Sequence, residues 1–497
     1  MLVGVYHAIA AKLRTVSHSQ TAEFLTGGRK LPIIPVCLSL LTTFISGIAL
    51  LGLPAEIYQR GIGMGIGFFG GGISFLISGA FFVPVFYKLQ FISVYEYLEI
   101  RYDSVILRRI GSALFLVSTL FYMAVVMYAP SVALAVGAVS TIYTAIGGIK
   151  AVIWTDTLQA GFMYVGLGTL IIKGTIDAGG FWKVIEVAEK TGRLTESINK
   201  WDPSIFQYNS FWITTFGGIL HWTCFYGLNQ MALQRYCSMP SLRHARIVMG
   251  LTVPAFWIIG IMCCSIGIIM IGYFHGCDPV GTGEIENMDQ MSILMAGRIL
   301  GILISTLSTT SSGSNSMTAV IWEDFLKQKY NGMDESKKAR LMKVITCIIG
   351  IASTLLAFAC DYMGGIFNAA TTTLGAAAGP LVGLFFLGIF SERANKNGAF
   401  AGLAISSFLM IILSVSNNIE KPYSRYVLPL VQNASNPTCR VFNSSSSRHS
   451  EVHISSLKHH LDPHPHLLHR PDWHYGDPST TLFARTSPFV YAAIGKG

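Results

Sequence analysis

The chain has 497 residues, of which 52% are hydrophobic and 12% charged, with a formal net charge of +9. A soluble domain carries about 25% charged residues. Apolar runs of about 20 residues recur here along most of the length, which excludes a string of soluble domains and calls for a bundle of membrane helices. The positive charge is no nucleic-acid footprint, because the bases sit in short loops between the apolar runs.

The opening "MLVGVYHAIAAKLR" is a short apolar start with no cleavage site, so no signal peptide is expected. Candidate spans follow at 31–59, 62–87, 107–135, 136–149, 150–173, 209–232, 245–274, 293–321, 342–361, 363–390 and 398–416. The fourth is short for a bilayer that needs about 20 helical residues. If it nevertheless crosses, twenty Lys and Arg fall on one side, Arg235 among them, against six on the other. The rich side is then cytoplasmic. The acceptor sequences at Asn433 and Asn443 fall outside, where glycosylation can occur. There is no CxxC, so no zinc or redox motif is visible; Cys277 and Cys439 lie in loops and could pair. After about residue 440 the chain turns polar and His-rich, which reads as a disordered tail or, less economically, a metal-binding one.

The first five spans and the next five form two sets, and an odd number means that the second set enters from the opposite side. The organisation is therefore 1–30 as residual N-terminal helix and cytoplasmic loop, and 31–173 as first repeat. An extracellular loop, 174–208, then leads to the second repeat, 209–390. An extra helix at 391–416 and a loop and tail at 417–497 complete it. The first span of each set carries breakers: Ser46-Gly47, Gly52 and Pro54 in one, Gly217-Gly218, Gly227 and Asn229 in the other. Unwinding there would free carbonyls and amides at mid-depth. The competing reading is that these glycines only let neighbouring helices approach.

The stretch "LSTTSSGSNS", 307–316, sets seven Ser and Thr and an Asn inside an apolar run. Ser308 and Thr309 are adjacent, and a hard cation such as sodium takes several hydroxyl and carbonyl oxygens. Alternatively the hydroxyls bond their own helix one turn back, which is the expectation for Ser312, Ser314 and Ser316. Among the acids, Glu56 at the outer end of its span is expected to be solvated. Asp156, in "KAVIWTDTLQ", is either a functional intramembrane acid or an interfacial one beside Lys150. No nucleophile–base pair, HExxH or phosphate loop points to an enzyme.

The segments "TIYTAIGGIKAVIWTDTLQAG", "LNQMALQRYCS", "EYLEIRY", "LSTTSSGSNSMTAVIWEDF" and "GPLVGLFFLGIF" occur in order. Together they resemble the sodium/solute symporter family over about residues 20 to 416, in the branch of monocarboxylate, multivitamin and iodide transporters. The resemblance implies an all-α transmembrane LeuT-type fold, two inverted five-helix repeats plus at least one extra helix. Sodium is implied as the coupling ion, with no organic cofactor. The implied ligands are the carbonyls of Thr42, Ile45 and Ser305 and the hydroxyls of Ser308 and Thr309, with Asp156 on the sodium exit path. Phe225 and Tyr226 match an aromatic pair that shields substrate, and Gly47 lies at the implied break.

Phe44 and Ala49 stand where the sugar-carrying branch has polar contacts, so a sugar would leave its hydroxyls unpaired. A small organic anion suits better, held by helix N-terminal amides and by Thr43. Lactate or a short-chain fatty acid entering across the plasma membrane is the first expectation, a biotin- or pantothenate-like vitamin the second. The chain departs from the family in its reduced first helix, its short fourth span, a shortened segment after "NMDQ" and the His-rich tail in place of a last helix. A chain that keeps the fold without transporting is therefore a third alternative.

Overall fold

The computed structural model describes residues 20–45, 47–128, 133–204, 206–277, 279–280, 284–285, 288–299, 307–330, 332–359, 379–420, 480–481 and 484–486. Ser46, Ser305, both acceptor asparagines, Cys439 and the His-rich tail lie outside them. Among the described residues every regular element is helical, and six helices are long and apolar enough to cross a membrane, or seven if one bent pair counts as a span.

A short helix α1 (Gln20–Thr26) leads to α2 (Ile33–Phe44). Pro32 caps α2 in an extended conformation and Pro35 sits in its first turn, where a missing N–H costs nothing. Helical geometry stops at Ile45, with φ −87° and ψ 86°, and resumes at Gly47, the first residue of α3 (Gly47–Arg60). The two pieces meet at 51°. The break therefore falls at 45–46; Gly52 and Pro54, expected as breakers, stay helical.

Helix α4 (Ile62–Leu89) is followed by α5 (Glu96–Tyr102) and α6 (Val105–Tyr128). Then comes α7 (Ala133–Asp177), which holds the fourth and fifth candidate spans in one element. It turns at Gly148, where φ is +55° and ψ −153°. A Cβ there would lie 2.6 Å from the Phe24 carbonyl oxygen, so the turn and its contact with α1 both need glycine. The described part of the first arm, 133–147, is about 22 Å long at 1.5 Å per residue.

Next comes α8 (Phe181–Lys190), which buries Val184, Val187 and Ala188 in the main core. Just beyond it, Arg193 is 1% exposed and donates from Nε to the Tyr58 carbonyl at 2.5 Å, closing the outer end of α3. Glu56 is not solvated as expected: it is 6% exposed, with Arg60 Nη1 at 2.5 Å and the Tyr208 hydroxyl at 2.5 Å.

The second set begins with a π turn at Ile213–Gly217, then α9 (Gly218–Gly227) and α10 (Gln230–Tyr236). The break falls at Leu228 and Asn229 and not at Gly217-Gly218, which stays helical and lets α9 approach α4: a Cβ on Gly218 would sit 3.2 Å from the Gly67 carbonyl. After these come α11 (Leu242–Tyr273), α12 (Met291–Ile299), α13 (Leu307–Val320) with a π turn at its end, α14 (Glu335–Ala359), α15 (Gly379–Phe390) and α16 (Lys396–Glu420).

Burial sorts centre from rim. The most apolar windows of α4, α7 and α11 are 61% buried, that of α16 only 28%. Ile261, Phe162, Ile351 and Phe408 are all more than half exposed, as side chains facing lipid are. Helix α13 packs on α7, α6, α14 and α2, which puts its polar run at the middle of the bundle. Cys277 is disulfide-bonded, and the six other described cysteines are free thiols.

Candidate functional site

The site is built where α2 stops. The Ile45 amide still donates to the Leu41 carbonyl at 2.9 Å, but its own ψ turns the next peptide out of the helix. The Thr42 hydroxyl donates back to its own turn, to Leu38 and Ser39 carbonyls at 3.1 and 3.3 Å. What Thr42 and Ile45 present across the break is therefore backbone.

Thr309 of α13 is fully buried, and its hydroxyl donates to the Thr43 carbonyl at 3.2 Å. A hydroxyl that spends its proton this way keeps lone pairs for another partner. The structure thus sets Thr309 against Thr43, which follows Thr42 and lies two residues before Ile45. Ser308 lies in the first turn of α13, its side chain outside the description, and Ser305 is outside altogether.

Below this point runs a buried polar network. The Thr43 hydroxyl donates to the Ser39 carbonyl at 2.7 Å and lies 3.0 Å from Ser312 Oγ. With its one proton spent on Ser39, Thr43 accepts from Ser312. Ser312 accepts in turn from Arg235 Nη2 at 2.5 Å. The same guanidinium donates to Ser39 Oγ at 2.9 Å, to the Met231 carbonyl at 2.8 Å and to Asp156 Oδ2 at 3.1 Å. Ser39 Oγ donates to that carboxylate oxygen at 2.6 Å.

Arg235 and Asp156 have side chains only 1% and 0% exposed. Two expectations are corrected here. Arg235 is no flanking loop charge; it is one half of a buried ion pair. Asp156 is no interfacial acid beside Lys150, which pairs instead with Glu23.

Ser316, Asn315 and Thr318 of α13 also reach outward. Ser316 Oγ and Asn315 Nδ2 both donate to Gln234 Oε1, at 2.8 and 3.3 Å. Thr318 bonds the Thr346 hydroxyl at 2.8 Å. For Ser312 and Ser316 the expectation of purely local bonds is replaced by contacts with α2 and α10. Sequence reading missed Ser39, Gln234 and Arg235. The signal was there in "LNQMALQRY", where Asn229, Gln230, Gln234 and Arg235 crowd two turns next to an apolar span.

On the other side of the α2–α3 break the lining is aromatic. Phe44 meets Tyr226 edge-on at 5.1 Å between ring centroids and Phe225 at 6.0 Å. Tyr226 stacks in turn on Phe75 and Trp222. So Phe44, Phe225 and Tyr226 form one buried cluster, next to a cavity of about 40 Å³ lined by Ser118, Thr119, Tyr122, Phe225 and Asn229. A water needs about 10–15 Å³ by this measure, so the cavity admits a very small guest. Gly47, which opens α3, is buried, and so is Thr43, whose hydroxyl faces the Arg235 network.

A clasp around α5 holds these elements. Gln230 at the start of α10 accepts from the Val94 amide at 2.8 Å and donates to the Ile92 carbonyl at 2.7 Å. Arg108 joins Glu99 at 2.7 Å and Asp324 at 2.5 Å. Arg101 donates to the Gly388 and Ser391 carbonyls at 2.7 and 2.5 Å, capping α15. This accounts for "EYLEIRY", whose charges tie α5 to α6 and α15.

The model of the sodium:solute symporter family matches residues 24–406. The chain is 34% identical over 457 residues to sodium-coupled monocarboxylate transporter 1 of Mus musculus, covering 86% of this chain and 73% of that one. It is 34% identical over 432 residues to the sodium-dependent multivitamin transporter of Oryctolagus cuniculus, covering 81% and 66%. A solved structure of a Na+-coupled sialic acid symporter in a substrate-bound outward-open state superposes with a TM-score of 0.70 at 23% identity, over 82% of this chain and 88% of that one. The fold is the LeuT-type one, two inverted five-helix repeats with an additional helix. With the family model spanning most of its length, this chain belongs to the sodium:solute symporter family.

Proposed function

We propose that the chain is a sodium-coupled symporter that imports a small monocarboxylate across the plasma membrane, sodium being its second substrate. The observation that carries this is the meeting of the Thr309 hydroxyl with the carbonyl end of α2 at the break. In this reading the carbonyls of Thr42, Ile45 and Ser305 and the hydroxyls of Ser308 and Thr309 hold sodium, mixing oxygen types as a hard cation requires. Asp156 takes over the ion on its way to the cytoplasm. The repeats are 31–173 and 209–390, and the 174–208 segment lies outside the cell.

The carboxylate goes to the amide end of α3, beginning at Gly47, where the helix dipole and unpaired N–H groups favour an anion. The opposite helix start is less open: Asn229 Oδ1 already accepts from the Met231 amide at 2.8 Å. Phe44, Phe225 and Tyr226 close over the apolar part of the substrate, and their lack of matched donors and acceptors disfavours a sugar. Biotin- and pantothenate-like acids are the second reading, favoured by the multivitamin relative.

Uptake into proteoliposomes decides between them. Sodium-driven accumulation of radiolabelled lactate or butyrate, competed by neither glucose nor pantothenate, is the expected result. Accumulation of glucose without any monocarboxylate sinks the substrate class. Lactate uptake that ignores the sodium gradient sinks the coupling.

A further inference from the structure

A cavity of about 580 Å³ lies away from the break, between α4, α7, α8 and α11. Three spans line it near one end of each: Ile62 to Phe69 from the start of α4, Ile171 and Thr175 from the last turns of α7, and Trp257 to Ile269 from the second half of α11. Helix α8 lies over that end with Phe181, Val184 and Ile185. Phe181 meets Trp182 edge-on, both well exposed, and aromatic side chains at the end of a span mark the level of the lipid headgroups. Trp257 to Ile269 makes about 18 Å of helix at 1.5 Å per residue, roughly one leaflet of a hydrocarbon core about 30 Å thick. The cavity faces lipid through Phe69 and Ile261, both more than half exposed.

The lining holds no charged residue among those described, and its three strong side-chain donors are all engaged. Thr175 Oγ1 donates to the Ile171 carbonyl at 2.6 Å, Ser265 Oγ to the Ile261 carbonyl at 2.8 Å, and Trp257 Nε1 to the Phe69 carbonyl at 3.1 Å. The two hydroxyls keep lone pairs and still accept. A carboxylate, phosphate or ester thus meets no strong side-chain donor here, whereas a single hydroxyl meets an acceptor. Thr175, in the last turn of α7, is that acceptor at interface depth.

Shape narrows the class further. Lipid tails are as apolar as this lining, so entering the cavity from the bilayer gains no hydrophobic free energy. Packing and the freedom a ligand gives up then decide. A flexible acyl chain surrenders its rotamers on binding, and a fused ring system has few to surrender. The wall is flat and fixed: Trp257 stacks on Phe69 at 5.0 Å with 6° between the planes, held by the indole hydrogen bond.

We propose that this cavity is a sterol site, taking one membrane sterol with its rings against Trp257 and Phe69 and its hydroxyl donating to Thr175. The site does not depend on which solute is carried. Its ligand bears on α11, whose Gly267 approaches Ile57 of α3 so closely that a Cβ would lie 2.7 Å from the Ile57 Cβ. Occupancy therefore stiffens the seat of α3 and stabilises the folded chain.

The purified full chain in phosphatidylcholine nanodiscs is irradiated with cholestanol carrying a diazirine at carbon 6, and labelled peptides are read by mass spectrometry. Saturable labelling is expected within 62–69 and 257–269, reduced about tenfold by excess cholesterol. Helix α16, whose most apolar window is only 28% buried, reports unselective lipid contact and should label weakly and without saturation. Ser265→Phe, which fills the cavity, should cut labelling there tenfold or more and leave α16 unchanged. Thr175→Val keeps the shape and loses the acceptor, so cholesterol should compete about fivefold less well, no better than its 3α epimer. Cholesterol should also raise the unfolding midpoint by about 2 °C or more in the unaltered chain and not in Ser265→Phe.

Labelling no denser at the cavity than on α16 overturns the site, as does labelling undiminished in Ser265→Phe. A phosphatidylcholine with the diazirine in its acyl chain that labels the cavity and resists displacement by cholesterol makes the occupant a lipid tail and overturns the sterol. Equal competition by cholesterol and its 3α epimer in the unaltered chain overturns the hydroxyl contact with Thr175.

Discussion

The two broken helices occupy corresponding places in the two repeats and end in different chemical states. At the first break α2 leaves helical geometry at Ile45, α3 starts at Gly47, and the Thr309 hydroxyl of α13 donates to the Thr43 carbonyl just before the turn. At the second, Asn229 caps α10, and the Tyr236 hydroxyl reaches the last carbonyl of α9, Gly227, at 3.3 Å. The first break takes a partner from another helix, and the second takes its partners from its own two halves. Shared topology therefore does not imply shared function: the first break has backbone to offer a cation and an anion, while the second holds Phe225, Tyr226 and Arg235 in place.

The largest expected effect breaks the link between the two. Phe44 is the last helical residue of α2 and its ring bears on Phe225 and Tyr226. Phe44→Ala should cost about 3 kcal/mol of stability through lost burial and a cavity. Thermal unfolding in detergent should show it; an unchanged midpoint would mean that the two breaks do not lean on each other.

Next comes the first break itself. Ser308→Ala and Thr309→Ala should each raise the sodium concentration for half-maximal uptake by tenfold or more, about 1.4 kcal/mol, with surface expression little altered. Unchanged half-saturation in both variants removes these residues from the ion site. The second break should respond differently. Asn229→Ala should lower stability by about 1 kcal/mol, the worth of an N-cap, and leave sodium half-saturation where it was. A sodium shift as large as that of Thr309→Ala would erase the distinction drawn here.

A pH-dependent effect sits in the clasp that anchors α10. Glu96, in α5, is pushed up from its ordinary 4.5 to about 7 by burial first and Glu323 second, with Arg108 opposing. An acid raised in the folded state binds more protons folded than unfolded between those values, so stability falls as pH rises from about 4.5 through about 7. Glu96→Gln should therefore raise the unfolding midpoint at pH 8 and leave it nearly unchanged at pH 4. Equal shifts at both pH values would remove the carboxylate from the explanation.

The helices were largely legible because lipid demands long apolar runs, and the paired interruptions were legible because breakers are rare enough to notice. Their positions were less so. Glycine permits a break without requiring one, so of the breakers named in that span Gly218 serves close packing, and the unwinding falls at Leu228 and Asn229, beside Gly227. The site divides the same way. Thr42, Ile45, Thr309, Phe44, Phe225 and Tyr226 were named from motif positions; the fold sets Thr309 against Thr43 and Phe44 against Phe225 and Tyr226. The Arg235 network was illegible because its partners lie 77, 79 and 196 residues away, where no local period or spacing connects them. Charge-counting even assigned Arg235 to the wrong environment, since a cation one turn inside a helix end looks in sequence like one just outside it.

Arg193 carries a consequence for how the protein is made. Its guanidinium completes the outer end of α3, but it leaves the ribosome 135 residues after the Tyr58 carbonyl it serves. At 5–20 residues per second that is an interval of about 7 to 27 s. Throughout that time the C-terminal end of the first broken helix lacks this partner. The helix acquires its final boundary only when the segment after α8 has been made and has folded back onto it. Lesions in that segment would then appear as a biogenesis defect, an inserted but immature chain retained before it reaches the surface.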